Sequence, residues 1–234
     1  MSSAMSGSSA AAMPQSQNVF SRILGVFINP RETMDDIVAR PSWLIPLILL
    51  IINSLVFVFF LGDLILDKAV ADMTAGNPNM TQEQIGQALP FIKIMTWVMA
   101  VIGAPIMYLI FAALFLFVGN VILGGQTNFN TAFSVTCWSG VVTILGAIIM
   151  IPLLLAKGEF TSITSLSFLE SSGDQGSPLF FLLSQIDLFT LWWLVVLGIG
   201  FAAAYKFTNQ KGVATVLVCW GIYLVIGTAL KAIF

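Results

Sequence analysis

The segment "SQIDLFTLWWLVVLGIGFAAAY", residues 184–205, decides the fold because one charged residue, Asp187, precedes an uninterrupted uncharged run. A helix over residues 188–205 is ~27 Å long, close to the ~30 Å hydrocarbon core of a bilayer. The rest of the chain has the same character, since 58% of its residues are hydrophobic and only 9% are charged. Soluble proteins carry about 25% charged residues. The composition therefore indicates that lipid is the main solvent of this protein.

Five apolar segments are long enough to cross a membrane. We predict spans at 42–62, 91–122, 131–156, 179–205 and 212–233. Because backbone groups in lipid must satisfy one another, these spans are expected to be helices. The second span is longer than one crossing needs, and "GAP" at 103–105 predicts a kink because proline removes a backbone donor. The expected fold class is all-α, a bundle of five transmembrane helices with a short amphipathic pre-membrane helical segment.

This pattern divides the chain into three parts. Residues 1–17 form a Ser/Ala-rich tail that is expected to be disordered. Residues 18–40 are predicted to form cytoplasmic amphipathic helices, and residues 41–234 form the five-span membrane domain. Lys and Arg residues favour the cytoplasmic side, and in a five-span arrangement the following residues share one side: Arg22, Arg31, Arg40, Lys206 and Lys211. The N-terminus is therefore expected in the cytoplasm and the C-terminus outside.

The pre-membrane segment reads as two short helices. In the first, Arg22 lies opposite an apolar face. Asn29 is a suitable N-cap for the second helix, Pro30 suits its first position, and Glu32 completes a capping-box spacing. Two interpretations stay open: a platform that lies on the inner leaflet or docks a partner, and a linker that only orients the first span.

Asp187 is the strongest single functional candidate, and two interpretations of it also stay open. It can cap a helix that begins at Leu188, at the outer edge of the membrane, with Ser184 at capping-box spacing. Alternatively the helix begins at 177–178, which places the carboxylate inside the membrane. A carboxylate at the bilayer centre costs ~2.5–3.5 kcal/mol on insertion scales, so such a residue usually has a function.

Other features limit the chemistry. The chain has no histidine, which removes the commonest metal ligand and the usual general base. Its net charge of −2 argues against nucleic acid as a partner. No nucleophile–base pair, metal-ligand cluster or phosphate loop is recognisable, so we predict no catalytic residue, no metal and no cofactor. Stripes of small residues in the third and fourth spans favour contacts between helices over a pore lining.

Three stretches resemble the Yip-domain family of integral membrane proteins, and its bacterial branch in particular. They are "FINPRETMDDIVARPSWLIPLILL" (27–50), "FNTAFSVTCWSGVVTILGAII" (129–149) and "SPLFFLLSQIDLFTLWWLVVLGIGFAAAYKF" (177–207). The likeness covers roughly residues 20–230 and implies a five-span, Yip-like domain with a cytoplasmic N-terminus. It implies positioning roles, not catalysis, for the matching motif residues: Asn29, Pro30, Pro41, Asp187 and Trp192. Arg31 and Phe189 lie in the same motifs and are further candidate functional residues.

Eukaryotic relatives are associated with Rab-type GTPases and with traffic between the endoplasmic reticulum and the Golgi. This chain lacks a convincing counterpart of their acidic pre-membrane signature, so Rab binding is not carried over. The resemblance implies a bacterial cytoplasmic-membrane location, or the Golgi or endoplasmic reticulum membrane if the source is eukaryotic.

The resulting prediction is a membrane scaffold or adaptor that organises lipids or protein partners of unknown identity, without catalysis. The alternative is a small-solute or ion transporter or channel that uses Asp187; a membrane enzyme ranks third. Homo-oligomerisation stays open.

Overall fold

The computed structural model describes residues 17–158, 164–170 and 176–233. The predicted tail therefore lies outside the described residues, except for Gln17. Within these ranges the α-helices are α1 (Val19–Ile28), α2 (Pro30–Ala39), α3 (Leu44–Gly76), α4 (Gln82–Leu116), α5 (Phe129–Gly140), α6 (Val142–Lys157), α7 (Pro178–Gln185), α8 (Leu188–Tyr205) and α9 (Asn209–Ile233). A π-helix, Phe117–Ile122, follows α4, and a 3₁₀-helix, Leu166–Leu169, precedes α7.

Five helical stretches among the described residues are long and apolar enough to cross a membrane, which confirms the predicted fold class. They are Leu44–Gly76, Gln82–Ile122, Phe129–Lys157, Leu188–Tyr205 and Asn209–Ile233. The first two spanning helices, α3 and α4, extend beyond the predicted spans. The more polar residues on both sides of the loop at 77–81 are also helical.

The two pre-membrane helices are confirmed, but the capping of α2 differs from the prediction. Asn29 occupies the N-cap position, yet its side chain accepts no backbone hydrogen bond; its amide instead donates to Glu32 Oε2 at 2.5 Å. The backbone N–H of Asn29 donates to the Gly25 carbonyl at 2.8 Å. In a reciprocal capping box, that N–H would donate to the Glu32 carboxylate. The capping box does not form because the N–H is already bonded to the last turn of α1.

Irregular helix geometry appears at positions that the sequence did not indicate. Helix α4 continues through Pro105, and the departure from α-helical geometry comes later, in the π-helix. There, the Asn120 side chain holds the following loop by hydrogen bonds to both backbone groups of Thr127, at 3.0 and 3.1 Å. The Tyr205 hydroxyl donates to Asn120 Oδ1 at 2.7 Å, so this loop is fastened to the end of α8.

Helix α5 forms the centre of the bundle, since its residues from Thr131 to Gly140 are all buried. Helices α2, α3, α4 and α8 pack around it. Small residues permit this close packing, as predicted: a Cβ atom at Gly200 would lie 2.4 Å from the Val135 side chain, and one at Gly140 would overlap the Tyr108 ring.

Helices α8 and α9 are neighbours with very different surroundings. Of the most apolar window in each helix, 61% is buried in α8 but only 6% in α9. The two pack closely where a Cβ atom at Gly198 would lie 2.5 Å from the Val213 Cα atom. Most other side chains of α9 are exposed, apart from contacts such as Leu224, which is buried, as expected for a helix with one face towards lipid.

Candidate functional site: the break in the fourth span

Asp187 is the N-cap of α8. Its Oδ1 atom accepts hydrogen bonds from the backbone N–H groups of Phe189, at 2.9 Å, and Thr190, at 3.2 Å. The predicted start of this helix at Leu188 is confirmed. The predicted partner Ser184 plays no part in the cap, because it lies in α7 and its hydroxyl donates to the Phe181 carbonyl at 2.8 Å.

The alternative helix start at 177–178 is also present, but it belongs to a separate helix. Ser177 caps α7 by accepting from the Phe180 N–H at 3.0 Å, and Pro178 is the first residue of that helix. Helix α7 ends at Gln185, two residues before the cap of α8. The segment predicted as one fourth span, 179–205, is therefore two helices separated by a break at 186–187.

A second chain segment fills this break. Leu166 N–H donates to the Ile186 carbonyl at 3.0 Å, and Leu188 N–H donates to the Thr164 carbonyl at 3.2 Å, which forms an antiparallel bridge between Ser165 and Asp187. The Thr164 hydroxyl donates to the other carboxylate oxygen, Asp187 Oδ2. Backbone groups freed by a helix break in lipid need such partners. No sequence pattern indicated this pairing.

Asp187 lines a cavity of about 440 Å³ together with residues of the first and third spans. Asn53 lies midway in the uncharged stretch 41–62, whereas Leu154 lies only three residues before the end of α6. The cavity therefore extends from the middle of the apolar part of α3 towards the end of the third span, and Asp187 lies in its wall.

Helix α9 packs against both helices of the broken segment, α7 and α8. The rings of Phe181 in α7 and Tyr223 in α9 lie 6.3 Å apart. Both short helices thus lie beside one longer apolar helix. The position of Asp187 at the outer edge of the membrane stays a prediction, as does the alternative position inside it.

The cavity beside Asp187 has a mixed lining. Its polar residues are Asn53, Thr143, Asp187 and Thr190. Most other lining residues are apolar, including Phe57, Met150 and Leu154. The Asp187 carboxylate accepts hydrogen bonds from two backbone N–H groups and one hydroxyl. This arrangement is suited to holding a cation or a hydrogen-bond donor in a largely apolar pocket. Within the described ranges, no group of three or more His, Cys, Asp or Glu residues lies close enough to hold a metal ion.

Phe189 and Trp192 lie near Asp187 but make separate contacts. Phe189 is buried, lines the same cavity and lies against Gly146, where a Cβ atom would come within 3.0 Å of its ring. The Trp192 ring makes an edge contact with Phe27 of α1, with centroids 5.7 Å apart. The first helix of the chain therefore contacts the N-terminal part of α8.

The other predicted motif residues do not contact Asp187. Pro30 is the first residue of α2, and Pro41 lies in the link to α3. Arg31 donates to Asp35 Oδ2 at 3.0 Å and to Asn209 Oδ1 at 2.7 Å. It thereby joins the pre-membrane helices to the turn between α8 and α9.

Sequence reasoning missed a buried ionic cluster beneath α1, which we call the Arg22 cluster: Arg22, Asp36, Arg40, Ser42 and Trp138. Arg22 lies opposite Phe20 and Leu24, as predicted, but the arginine side is the buried one: Arg22 is only 7% exposed. Its Nε atom donates to Asp36 Oδ2 at 2.8 Å, and Nη1 donates to Ser42 Oγ at 2.6 Å.

Three further contacts belong to the cluster. The guanidinium lies 5.8 Å from the centre of the Trp138 ring, and Trp138 Nε1 donates to the Ser42 carbonyl at 2.7 Å. Asp36 also accepts from Arg40. The one signal in the sequence was a lone charge within the apolar helix α1.

Five membrane-spanning stretches and a folded pre-membrane hairpin define a polytopic α-helical membrane protein. The chain belongs to the Yip1 domain family, whose sequence model matches residues 24–230. No curated protein and no solved structure matches the chain. The family match agrees with the resemblance drawn from the pre-membrane and fourth-span motifs.

Proposed function

We propose that this protein is a membrane adaptor of the Yip type, whose helix α1 recruits a partner protein at the cytoplasmic surface. The supporting observation is an exposed apolar stripe on α1: Phe20 is 68% exposed, Leu24 45% and Ile28 79%. The only charged residue of α1, Arg22, is buried under the helix. An uncharged, exposed helical stripe with i, i+4, i+8 spacing is the kind of surface that an amphipathic partner helix covers.

The fixed position of α1 supports this role. The Arg22 cluster and the edge contact between Phe27 and Trp192 hold the helix against the bundle. Helix α2 contributes Met34 and Ile37, both fully buried. A surface that is already ordered loses less conformational entropy when a partner binds. The proposal assigns no catalytic step to the protein.

Photo-crosslinking in cells tests the adaptor role. A crosslinking amino acid at Leu24 or Ile28 is expected to capture the same protein, and Phe20→Asp is expected to abolish that product. Ile226, which is 55% exposed on α9, is the matched control position and is expected to give no such product. Identical products from α1 and Ile226, or lipid adducts alone, would contradict the proposal.

We also propose that the N-terminus is cytoplasmic and the C-terminus external, in a bacterial cytoplasmic membrane. The contact between Arg31 and Asn209 supports a shared side for the pre-membrane arginines and the turn with Lys206 and Lys211. Clustered Lys and Arg residues favour the cytoplasmic side. Reporter fusions are expected to place the two termini in opposite compartments, and reporters on the same side would contradict this orientation.

The break in the fourth span favours a second candidate, transport of a cation or small solute. Discontinuous helices near the bilayer midplane form substrate and ion sites in many transporters. Here the break places the Asp187 carboxylate beside a cavity of about 440 Å³. Flux into proteoliposomes is expected to fall to background with Asp187→Asn. Equal, background-level flux for both proteins across a broad set of solutes would remove this candidate.

A further inference from the structure

Helices α3 and α4 enclose a groove that lies mostly apart from the Asp187 cavity and shares with it only Asn53 and Phe57. It consists of two adjoining cavities of about 550 and 260 Å³, and both are lined by Val58 and Thr96. The larger cavity is mostly apolar, with Phe57, Met95 and Met99 in its walls. We call the two cavities together the α3–α4 groove.

The smaller cavity carries two opposite charges. Asp63 of α3 and Lys93 of α4 both line it, and both residues are exposed. In the part of the chain that the structure describes, no salt bridge joins them. The cavity between them therefore separates a carboxylate from an ammonium group at the same end of an apolar groove.

The charged end of the groove lies at the level of the membrane interface. Asp63 is the first charged residue after the uncharged stretch 41–62. Trp97, one helical turn after Lys93, lines the same cavity, and tryptophan is enriched at the membrane–water interface. The apolar end reaches Asn53, ~15 Å further along α3, inside the hydrocarbon core.

We infer that the α3–α4 groove binds a zwitterionic phospholipid with a primary ammonium headgroup, of the phosphatidylethanolamine type. Lys93 binds the phosphate, Asp63 binds the ammonium, and one acyl chain lies along Phe57, Met95 and Met99. Methionine side chains adapt readily to a flexible chain. The occupant is assigned by charge complementarity, because this lipid carries the two opposite charges at the end of an apolar tail.

Headgroup chemistry also distinguishes phosphatidylethanolamine from other common phospholipids. Phosphatidylglycerol offers a phosphate to Lys93 but no cation to Asp63. Phosphatidylcholine has a cation, but its quaternary ammonium lacks the N–H donors that make a charge-assisted hydrogen bond to a carboxylate strong. Phosphatidylethanolamine is therefore expected to bind more tightly than either.

Native mass spectrometry of the full-length protein, with each of the three lipids added in turn, measures this preference. Wild-type protein is expected to retain one phosphatidylethanolamine in preference to the other two lipids. Asp63→Asn is expected to weaken its binding about threefold to tenfold, the effect of losing one partly exposed charge-assisted hydrogen bond. Asp67→Asn, one helical turn further along α3, is the matched control and is expected to have no effect.

Two further variants separate the phosphate and acyl-chain contacts. Lys93→Gln is expected to weaken the binding of all three lipids, whereas Lys231→Gln near the end of α9 is not.

Gly62→Phe is expected to displace the bound lipid, because a Cβ atom at Gly62 meets nothing within 4 Å and the ring can occupy the groove. Gly221→Phe on α9 is its control, since Gly221 is equally open. Thermal unfolding checks that each variant is folded.

Several results would overturn the inference. If wild-type protein retains the three lipids equally, and Asp63→Asn retains them to the same extent, the groove does not recognise the headgroup. Displacement by water-soluble glycerophosphoethanolamine would show that the site binds a free headgroup and not a lipid. A protein dimer that Gly62→Phe disrupts, without a bound lipid, would show that a second copy of the chain occupies the groove.

Discussion

Asp36 is buried and Asp187 is half-buried, and different groups stabilise the two carboxylates. Asp36 lies in α2, has a side chain only 2% exposed and is paired with two arginines. Asp187 lies at a helix break and accepts hydrogen bonds from two backbone N–H groups and the Thr164 hydroxyl. The same side chain thus serves as one member of an ion pair in one region and as a helix cap in the other.

The difference shows which kind of substitution each region tolerates. Removing Asp36 leaves the Arg22 guanidinium buried without its carboxylate, and an unpaired buried charge is highly unfavourable. Removing Asp187 leaves two neutral N–H groups and a hydroxyl without an acceptor, which costs less. The Arg22 cluster should therefore be the more sensitive region.

The largest expected effect is that of Asp36→Ala. We expect a loss of about 3–5 kcal/mol in the free energy of unfolding, because one partner of a buried ion pair is removed. The measurement is a denaturant titration in mixed micelles. Asp35→Ala is the matched control: its side chain is 47% exposed and pairs with Arg31, so we expect a change of about 0–1 kcal/mol.

The double substitution Arg22→Met with Asp36→Leu sharpens this comparison. Both charges are removed together, so stability is expected to return to within about 1–2 kcal/mol of wild type by the same titration. A double variant as unstable as Asp36→Ala would show that the hydrogen bonds to Ser42 and Arg40, and not the unpaired charge, control stability.

Asp187→Ala is expected to have an intermediate effect. Loss of an N-cap side chain destabilises a helix by ~0.5–2 kcal/mol, whereas Asp187→Asn keeps an acceptor for the N–H groups and should cost less. Thermal unfolding of the two variants in the same detergent makes the comparison. If Asp187→Asn is as destabilising as Asp187→Ala, the negative charge itself stabilises the break. Asp187 would then act through its charge, as Asp36 does, which would contradict the difference between the two regions.

Thr164→Val tests the other side of the same junction. It removes the hydroxyl that donates to Asp187 Oδ2, and the expected loss is ~1 kcal/mol, typical of one hydrogen bond. Thr215→Val is the control, since that hydroxyl only donates within its own helix, to the Lys211 carbonyl at 2.8 Å. Equal effects of the two substitutions on the thermal unfolding midpoint would show that the bridge to Asp187 adds nothing specific.

The smallest effect is expected for Arg31→Gln. Arg31 is 37% exposed, and exposed ion pairs contribute only about 0–1 kcal/mol, an amount that salt reduces further. Unfolding at low and high salt is expected to show a small difference that disappears at high salt. A large loss in the free energy of unfolding that does not depend on salt would show that Arg31 stabilises the protein as strongly as the Arg22 cluster does.

The sequence predicted the parts of the fold that depend on composition. Apolar length identified the five spans, and local capping chemistry identified the helix starts at Pro30, Pro178 and Leu188. It could not identify the break at 186–187, because the backbone partners at that break come from residues 164–166, which no sequence pattern pairs with it. It also could not show that the Arg22 side of α1 is the buried one, because the burial of that residue comes from Trp138 and Ser42, which are distant in the chain.

The contact between Arg31 and Asn209 has a consequence for biosynthesis. The two residues are separated by 178 positions in the chain. At ~5–20 residues per second a ribosome needs roughly 10–35 s to make the intervening sequence. Helices α1 and α2 can pack against each other and against α5 much earlier. The bond that ties them to the turn between α8 and α9 therefore closes only after the fourth span has been made.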